Sequence, residues 1–148
     1  MIDFVIAPAD KKDLEQIHNL EAASFSIPWH KESLAALLSA SGRTFCLTAR
    51  TENILGYVGV MYVLDEGEIT NIAVHPSYRG QGIGFALLCA AKERCRQLGI
   101  HTLHLEVRAG NVHAIALYTK CGFSESGLRR GYYADNGEDA VLFSCKDM

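Results

Sequence analysis

The chain has 148 residues, a length that suits one domain with a core of its own. With 14 basic and 17 acidic residues its formal net charge is −3, and no run of Lys or Arg exceeds two, which argues against a nucleic-acid-binding surface. The longest apolar run, residues 58–64, is far too short to span a membrane, and the first residues lack the basic start of a signal peptide. We therefore predict a single cytoplasmic domain over residues 1–148 that binds neither nucleic acid nor membrane.

The cysteines and histidines give no metal or disulfide pattern. The cysteine count is odd and no two cysteines are spaced as Cys-x-x-Cys, which argues against a disulfide framework or a zinc site. His101 and His104 are three residues apart in a predicted strand, so their side chains point to opposite faces. We predict no metal site.

The first half of the chain predicts a strand, two helices and three further strands. Pro8 ends the first strand, and Asp10 can cap the first helix. The second helix ends at Ser41 and Gly42. Short turns at residues 52–53 and 65–67 predict that the three strands form an antiparallel meander. The six elements are predicted at residues 2–7, 10–24, 30–40, 44–50, 54–64 and 68–74.

The second half predicts a long helix, a strand, a short helix and two strands. Gly99 follows the long helix as a C-terminal stop, and Asn111 can cap the short helix. A turn at residues 134–137 predicts a closing hairpin. The elements are predicted at residues 82–98, 101–108, 111–121, 123–133 and 138–145. The order of elements predicts an α+β fold, with helices flanking a mostly antiparallel mixed sheet.

A glycine-rich motif joins the strand at residues 68–74 to the long helix. Residues 79–84 read Arg-Gly-Gln-Gly-Ile-Gly, which gives Arg-x-x-Gly-x-Gly at a helix N-terminus. Such a turn exposes unpaired backbone N–H groups and is well suited to a phosphate. The dinucleotide fingerprint requires glycine where Phe85 stands, and the Gly-Lys-Ser/Thr of a P-loop is absent.

This motif resembles the acetyl-CoA signature of the GCN5-related N-acetyltransferases (GNAT), and the order of elements is similar to that family's. The resemblance implies the acyl-CoA N-acyltransferase fold, with acetyl-CoA as the acetyl donor. It implies that the loop amides hold the pyrophosphate and that the strand before the loop pairs with the pantetheine arm and polarises the thioester carbonyl. Arg79 can instead serve to hold the loop, and Asn111 can be a plain helix cap. The implied donor-binding residues are Ile72, Ala73, Val74, Arg79, Gly80, Gln81, Gly82, Ile83, Gly84, Phe85 and Asn111.

Further motifs resemble the RimI-type subgroup, which acetylates the N-terminal alanine of a small-subunit ribosomal protein. They lie at residues 21–29, 105–111, 116–118, 122–123, 129–133 and 138–140. Gly110 and Phe143 depart from the subgroup, where serine and methionine are common. The resemblance implies a protein N-terminus as the acceptor and leaves the oligomeric state open.

Acetyl transfer to an amine needs a base, a polarised carbonyl and a proton for the departing thiolate. The resemblance implies that Glu106 is the general base, acting through water, and that Tyr118 is the general acid. The residues implied to line the acceptor side are Glu21, Pro28, Trp29, Tyr132, Tyr133, Glu138 and Asp139, and the acids Asp65, Glu66 and Glu68 add negative charge for a basic peptide.

Three alternatives stay open on the residues alone. The acceptor can be a lysine side chain or a small amine, although a free α-amine with a pKa of ~7.8 is easier to neutralise than a lysine at ~10.4. The chain can also bind acetyl-CoA without turnover. A covalent route would need an activated thiolate, for which Cys121 is the nearest candidate; its helical spacing points it inward, so we predict direct transfer in a ternary complex.

Overall fold

The computed structural model describes residues 2–39, 42–146 and 148. Its centre is one mixed sheet of seven strands in the order β1-β2-β3-β4-β5-β7-β6. The strands are β1 (Val5–Pro8), β2 (Thr44–Arg50), β3 (Ile54–Val63), β4 (Glu66–Val74), β5 (Thr102–Arg108), β6 (Ser124–Arg129) and β7 (Ala140–Lys146). Every neighbouring pair is antiparallel except β4 with β5. The predicted α+β fold with a mostly antiparallel sheet is confirmed.

The helices cover both faces of the sheet. They are α1 (Leu14–Ser24), α2 (Lys31–Leu37), α3 (Ile83–Gln97) and α4 (Val112–Lys120). One apolar core lies under α1 and α2 and includes Ile17, Leu34 and Tyr57, which are fully buried. The larger core lies under α3 and α4 and includes Leu87 and Leu103.

The alternation predicted for β5 is observed. Leu103, Leu105 and Val107 are buried in the larger core. His104, Glu106 and Arg108 are half-buried on the opposite face. Because side chains alternate along a strand, Glu106 lies on the sheet face away from α3.

Several predicted boundaries in the first half differ from the structure. The first strand begins at Val5 and includes Pro8, which was predicted to end it. Residues 11–13 form a turn of 3₁₀ helix, since Asp10 and Asp13 make a reciprocal capping box before α1 begins. The β3–β4 turn is tighter than predicted: Val63 pairs with Glu66, which leaves Leu64 and Asp65 as a two-residue turn, and Leu64 has φ +55°. The second helix ends at Leu37, before its predicted end near Ala40, and Ala40 and Ser41 lie outside the described residues.

The final hairpin is wider than predicted. β6 ends at Arg129 and β7 begins at Ala140, so residues 130–139 form a long loop. The reason is that side chains of this loop bond to the end of β5: Asp135 pairs with Arg108, and Glu138 accepts from the backbone N–H of Gly110.

Among the described residues, no helix is both long enough and apolar enough to cross a bilayer.

Candidate active site

The candidate site begins where β4 and β5 separate. These two strands pair only where Glu66–Glu68 of β4 lie beside Thr102–His104 of β5. Beyond these residues, β4 pairs with β3 alone and β5 pairs with β7 alone. A register shift between Gly59 and Val60 leaves Thr70 as an extra residue on β4, and such a bulge bends a strand. The edge of β4 that faces this gap therefore has no β5 partner from Ile69 to Val74. An open strand edge can pair with the amides of an extended ligand.

The glycine motif lies at the end of the same strand. Gly80 and Gly82 both have φ +80°, a left-handed conformation that favours glycine, and a Cβ at either position would meet nothing within 4 Å. Gly82 is the N-cap of α3 and provides no side-chain cap, so the first turn of this helix has no side chain bonded to its N–H groups. The open space and the uncapped helix terminus fit a phosphate group of acetyl-CoA.

Other residues of the motif have contacts within the chain. The Nε of Arg79 donates to the carbonyl of Val74 at 3.1 Å, so Arg79 holds the loop against β4, as one of the two sequence interpretations proposed. Gly84 serves helix packing, because a Cβ there would lie 3.0 Å from Leu117 Cδ2 on α4. The side-chain carbonyl of Gln81 accepts from the N–H of Ile2 at 3.2 Å. Phe85 is exposed, with the Lys120 ammonium 4.8 Å from its ring centre.

Replacing Gly82 with Ala should weaken the binding of acetyl-CoA. An alanine in this left-handed conformation costs ~1–2 kcal/mol, which the helix can relieve by rotating its first N–H groups away. We expect the KM for acetyl-CoA to rise ~10-fold, equivalent to ~1.4 kcal/mol.

Gly99, at the other end of α3, is the matched control. It has φ +78° and equally open space, so Gly99→Ala carries similar strain but lies away from the loop. Steady-state kinetics and thermal denaturation of both variants separate binding from stability. An equal rise in KM for both variants would show that the loop is not the phosphate site.

A cavity of about 260 Å³ lies beside the gap, on the face of β5 that carries Glu106. The carboxylate of Glu106 pairs with Arg129 Nε at 3.3 Å and raises the pKa of Tyr132 above its usual value. Glu68, on β4, is a second carboxylate in this wall. The cavity is lined by Glu68, His104, Leu105, Glu106, Ser126, Arg129, Leu142 and Phe143. Its charge suits a cationic amine, and Glu106 lies where it can take up a proton.

Tyr118 lies on α4, in the core on the other side of the sheet from Glu106. It is 7% exposed and packs edge-on against Phe123 and at a tilt against Phe143, with ring centres 6.1 and 6.4 Å away. Burial raises its pKa, with a smaller contribution from Tyr133, so its hydroxyl stays protonated at neutral pH. Burial raises the pKa of Tyr133; Arg108 opposes this shift and Glu106 adds a smaller rise.

Two loops meet over the face that carries Glu106. We call residues 25–30 the acceptor loop and residues 130–139 the closing loop. The hydroxyl of Ser26 in the acceptor loop donates to Asp135 Oδ2 in the closing loop at 2.7 Å. Arg108 donates to both oxygens of Asp135 at 2.9 Å, and its guanidinium carbon lies 4.0 Å from the ring centre of Tyr133. Arg108 therefore fixes the closing loop to the end of β5.

Several predicted acceptor-side residues have structural partners. Glu138 accepts from the N–H of Gly110 at 2.6 Å, and Asp139 accepts from the N–H of Gly131 at 2.8 Å. Both bonds hold the closing loop, and the bond from Gly110 lowers the pKa of Glu138. Glu21 is 2% exposed, so the expectation of a direct contact between Glu21 and the acceptor is not supported.

The remaining predicted residues are placed as follows. Pro28 and Trp29 are half-buried in the acceptor loop, while Tyr132 and Tyr133 pack edge-on in the closing loop at 5.2 Å. Asn111 caps α4 by accepting from the N–H of Ala114 at 3.2 Å, which is the plain-cap alternative.

Sequence reasoning missed the positions of Arg108, Arg129, Ser26 and Asp135 in this site. Their partners are 23 to 109 residues away in the chain, so no local pattern indicates them. Cys121 is buried, and burial raises the pKa of its thiol, which disfavours the thiolate that a covalent route requires.

Comparison with known proteins agrees with this geometry. Residues 14–123 match the Acetyltransferase (GNAT) family. The chain therefore belongs to the GNAT family, and it is an acetyl-CoA-dependent N-acetyltransferase.

Particular members of the family are similar over nearly the whole chain. The [ribosomal protein bS18]-alanine N-acetyltransferase of Escherichia coli (strain K12) is 36% identical over 141 residues, which is 94% of this chain and 95% of that protein. A Bacillus subtilis (strain 168) protein, provisionally given the same name, is 39% identical over 132 residues, 88% of this chain and 87% of that one. The crystal structure of the Escherichia coli ribosomal-protein-S18-alanine N-acetyltransferase superposes with a TM-score of 0.90 at 33% identity, covering 98% of this chain and 94% of that one.

Proposed function

We propose that this protein transfers the acetyl group of acetyl-CoA to the N-terminal alanine of ribosomal protein bS18. The main observation that supports this proposal is the placement of Glu106 in an acidic cavity beside the gap between β4 and β5. The whole-length similarity to proteins named for this activity supports the choice of acceptor. Because ribosomal proteins are made in the cytoplasm, we also propose a cytoplasmic location. The one sheet and its two cores support treating residues 1–148 as one catalytic domain.

We propose that Glu106 is the general base. An α-amine with a pKa of ~7.8 enters mostly as an ammonium at neutral pH and must lose a proton before it attacks. Glu68 and Glu106 give the cavity the negative charge that attracts this cation, and Glu106 accepts the proton through a water molecule. Arg129 must release Glu106 for this step, since their side chains pair at 3.3 Å.

We propose that Tyr118 is the general acid. Acetyl-CoA supplies an activated acetyl group whose transfer releases a thiolate, and the buried, protonated hydroxyl of Tyr118 can provide the proton that this thiolate takes up. The donor is held by the residues predicted for it: the β4 edge at Ile72–Val74, whose N–H groups can polarise the carbonyl, and the loop at residues 79–84. Transfer is direct, with both substrates bound at once.

Base strength also favours an N-terminal acceptor. Neutralising a lysine side chain instead of an α-amine costs ~3.5 kcal/mol more at the same pH, because the two pKa values differ by ~2.6 units. A carboxylate acting through water is better matched to the weaker base.

The test is mass spectrometry of acetyl-CoA reactions with two matched peptides. The first has the N-terminal sequence of bS18, beginning with its free alanine, and any lysine in it is replaced by arginine. The second has the same sequence with a blocked N-terminus and internal lysines. We expect acetylation of the first peptide alone, at its α-amine, and none without the enzyme. Acetylation of the second alone would overturn the acceptor, and transfer only to a polyamine control would indicate a small-amine acetyltransferase.

A further inference from the structure

We infer that Glu21 is a positioning residue that ties the acceptor loop to the donor-binding strand. The inference rests on the proposed function, because it assigns roles to the two sides of the same site. Glu21 lies on α1 and is 2% exposed. It has no salt-bridge partner among residues 2–39, 42–146 and 148.

The carboxylate is held by three donors from three different parts of the chain. Its Oε1 accepts from the Tyr57 hydroxyl on β3 and from Asn71 Nδ2 on β4, the latter at 3.4 Å. Its Oε2 accepts from the backbone N–H of Trp29 in the acceptor loop at 2.9 Å. A buried carboxylate is costly unless its oxygens are satisfied, so these bonds fix all four groups relative to one another.

Asn71 connects this cluster to the donor side. It follows the β4 bulge at Thr70 and immediately precedes Ile72, in the stretch of β4 that faces the gap. Asn71 is 4% exposed, and its Oδ1 has no hydrogen-bond partner within the described part of the chain. Its amide NH₂ therefore has Glu21 as the group that orients it. Burial and then Glu21 raise the pKa of the Tyr57 hydroxyl, which keeps it protonated as a donor to Glu21.

Trp29 connects the cluster to the acceptor side. The acceptor loop has exposed apolar side chains, Phe25 and Ile27, and Ser26 bonds to Asp135 in the closing loop. The loop thus has two attachments that lie on opposite sides of Pro28: Ser26 to Asp135 outside, and Trp29 N–H to Glu21 inside. The Ser26–Asp135 bond is exposed, whereas the bond to Glu21 is partly buried and its carboxylate partner is 2% exposed. The bond to Glu21 is therefore the one that sets the distance between the acceptor loop and β4.

The consequence is a role for Glu21 in acceptor binding without contact to the acceptor. Losing its oxygens should free the acceptor loop while the phosphate loop at residues 79–84 stays as it is, because Glu21 makes no bond to that loop. Acceptor binding should suffer more than donor binding. A purely structural role would lower stability and change both substrates' KM values together.

The primary variant is Glu21→Met, which keeps the length of the side chain and removes both oxygens. At saturating acetyl-CoA we expect the KM for the bS18 N-terminal peptide to rise ~10-fold or more, because one charge-assisted bond to the acceptor loop is lost. The KM for acetyl-CoA should change less than ~3-fold. Glu21→Gln keeps one carbonyl oxygen for the N–H of Trp29 and should recover most of the acceptor KM.

Tyr57→Phe is the matched control. It removes the Tyr57–Glu21 hydrogen bond, which Glu21→Met also removes, but it leaves the carboxylate bonded to Trp29. We expect this variant to lose stability while keeping the acceptor KM within ~3-fold of the unmodified protein. A rise in acceptor KM that follows loss of thermal stability across the three variants would overturn the inference.

Hydrogen exchange of the Trp29 amide provides a readout that needs no substrate. The amide should be protected in the unmodified protein and in Tyr57→Phe, and should exchange at least ~10-fold faster in Glu21→Met or, if that variant does not fold, in Glu21→Ala. Unchanged protection would overturn the inference. Failure of the proposed function is recognised separately, because the unmodified protein would then not acetylate the bS18 peptide at all.

Discussion

Glu106→Gln is expected to lower kcat by ~10²–10⁴-fold, which corresponds to ~2.7–5.5 kcal/mol of transition-state stabilisation. The amide is nearly isosteric with the carboxylate but cannot accept the proton of the acceptor ammonium. Acetyl-CoA affinity should be nearly unchanged, because Glu106 lies in the cavity lined by Glu68 and Arg129 and not in the phosphate loop. Pre-steady-state kinetics and calorimetric titration with acetyl-CoA measure the two effects separately.

Glu125→Gln is the matched control for this prediction. Glu125 is an exposed strand glutamate on β6 and is not among the residues lining the cavity. We expect its kcat to remain within ~2-fold of the unmodified protein. If Glu106→Gln keeps full turnover, Glu106 is a strand residue that pairs with Arg129, and the base must be sought elsewhere in the cavity.

Tyr118→Phe is expected to lower kcat by ~10²-fold, since the phenylalanine keeps the packing against Phe123 and Phe143 but provides no proton for the thiolate. Thermal stability should change little, because Tyr118 makes no hydrogen bond through its hydroxyl within the described residues. Tyr62→Phe, at a half-buried tyrosine that packs against the same core, is the control expected to keep kcat. Equal rates for Tyr118→Phe and the unmodified protein would make Tyr118 a packing residue.

The pH dependence provides a second check on Tyr118. Burial raises its pKa above the usual ~10, so the protonated, proton-donating form persists through the alkaline range. We expect kcat to show no decrease below about pH 10 that is due to Tyr118. A decrease in kcat centred near pH 8 or 9 that Tyr118→Phe abolishes would mean that the pKa of the Tyr118 hydroxyl is lowered, whereas its burial implies that it is raised.

The sequence was sufficient for features that depend on neighbouring residues. The spacing of apolar residues predicts α3 and the alternation along β5, because a helix or strand repeats every few residues. The glycine motif predicts a turn that opens a helix with unpaired N–H groups, and Gly82 is the N-cap of α3. The resemblance of that motif and of the order of elements to the GNAT family was also sufficient for the fold, the family and the donor, which the comparisons confirm. The roles of Glu106 and Tyr118 stay predictions.

Only the tertiary structure decided which polar groups are free to act. Four carboxylates have the same character in the sequence, yet Glu21 is buried against Tyr57 and Asn71, Glu138 and Asp139 accept from backbone N–H groups, and Glu106 faces a cavity. The partners of Glu21 are 8, 36 and 50 residues away, so no local repeat indicates them. The gap between β4 and β5 likewise comes from a short parallel register and a bulge at Thr70, and strand register is set by packing between distant segments.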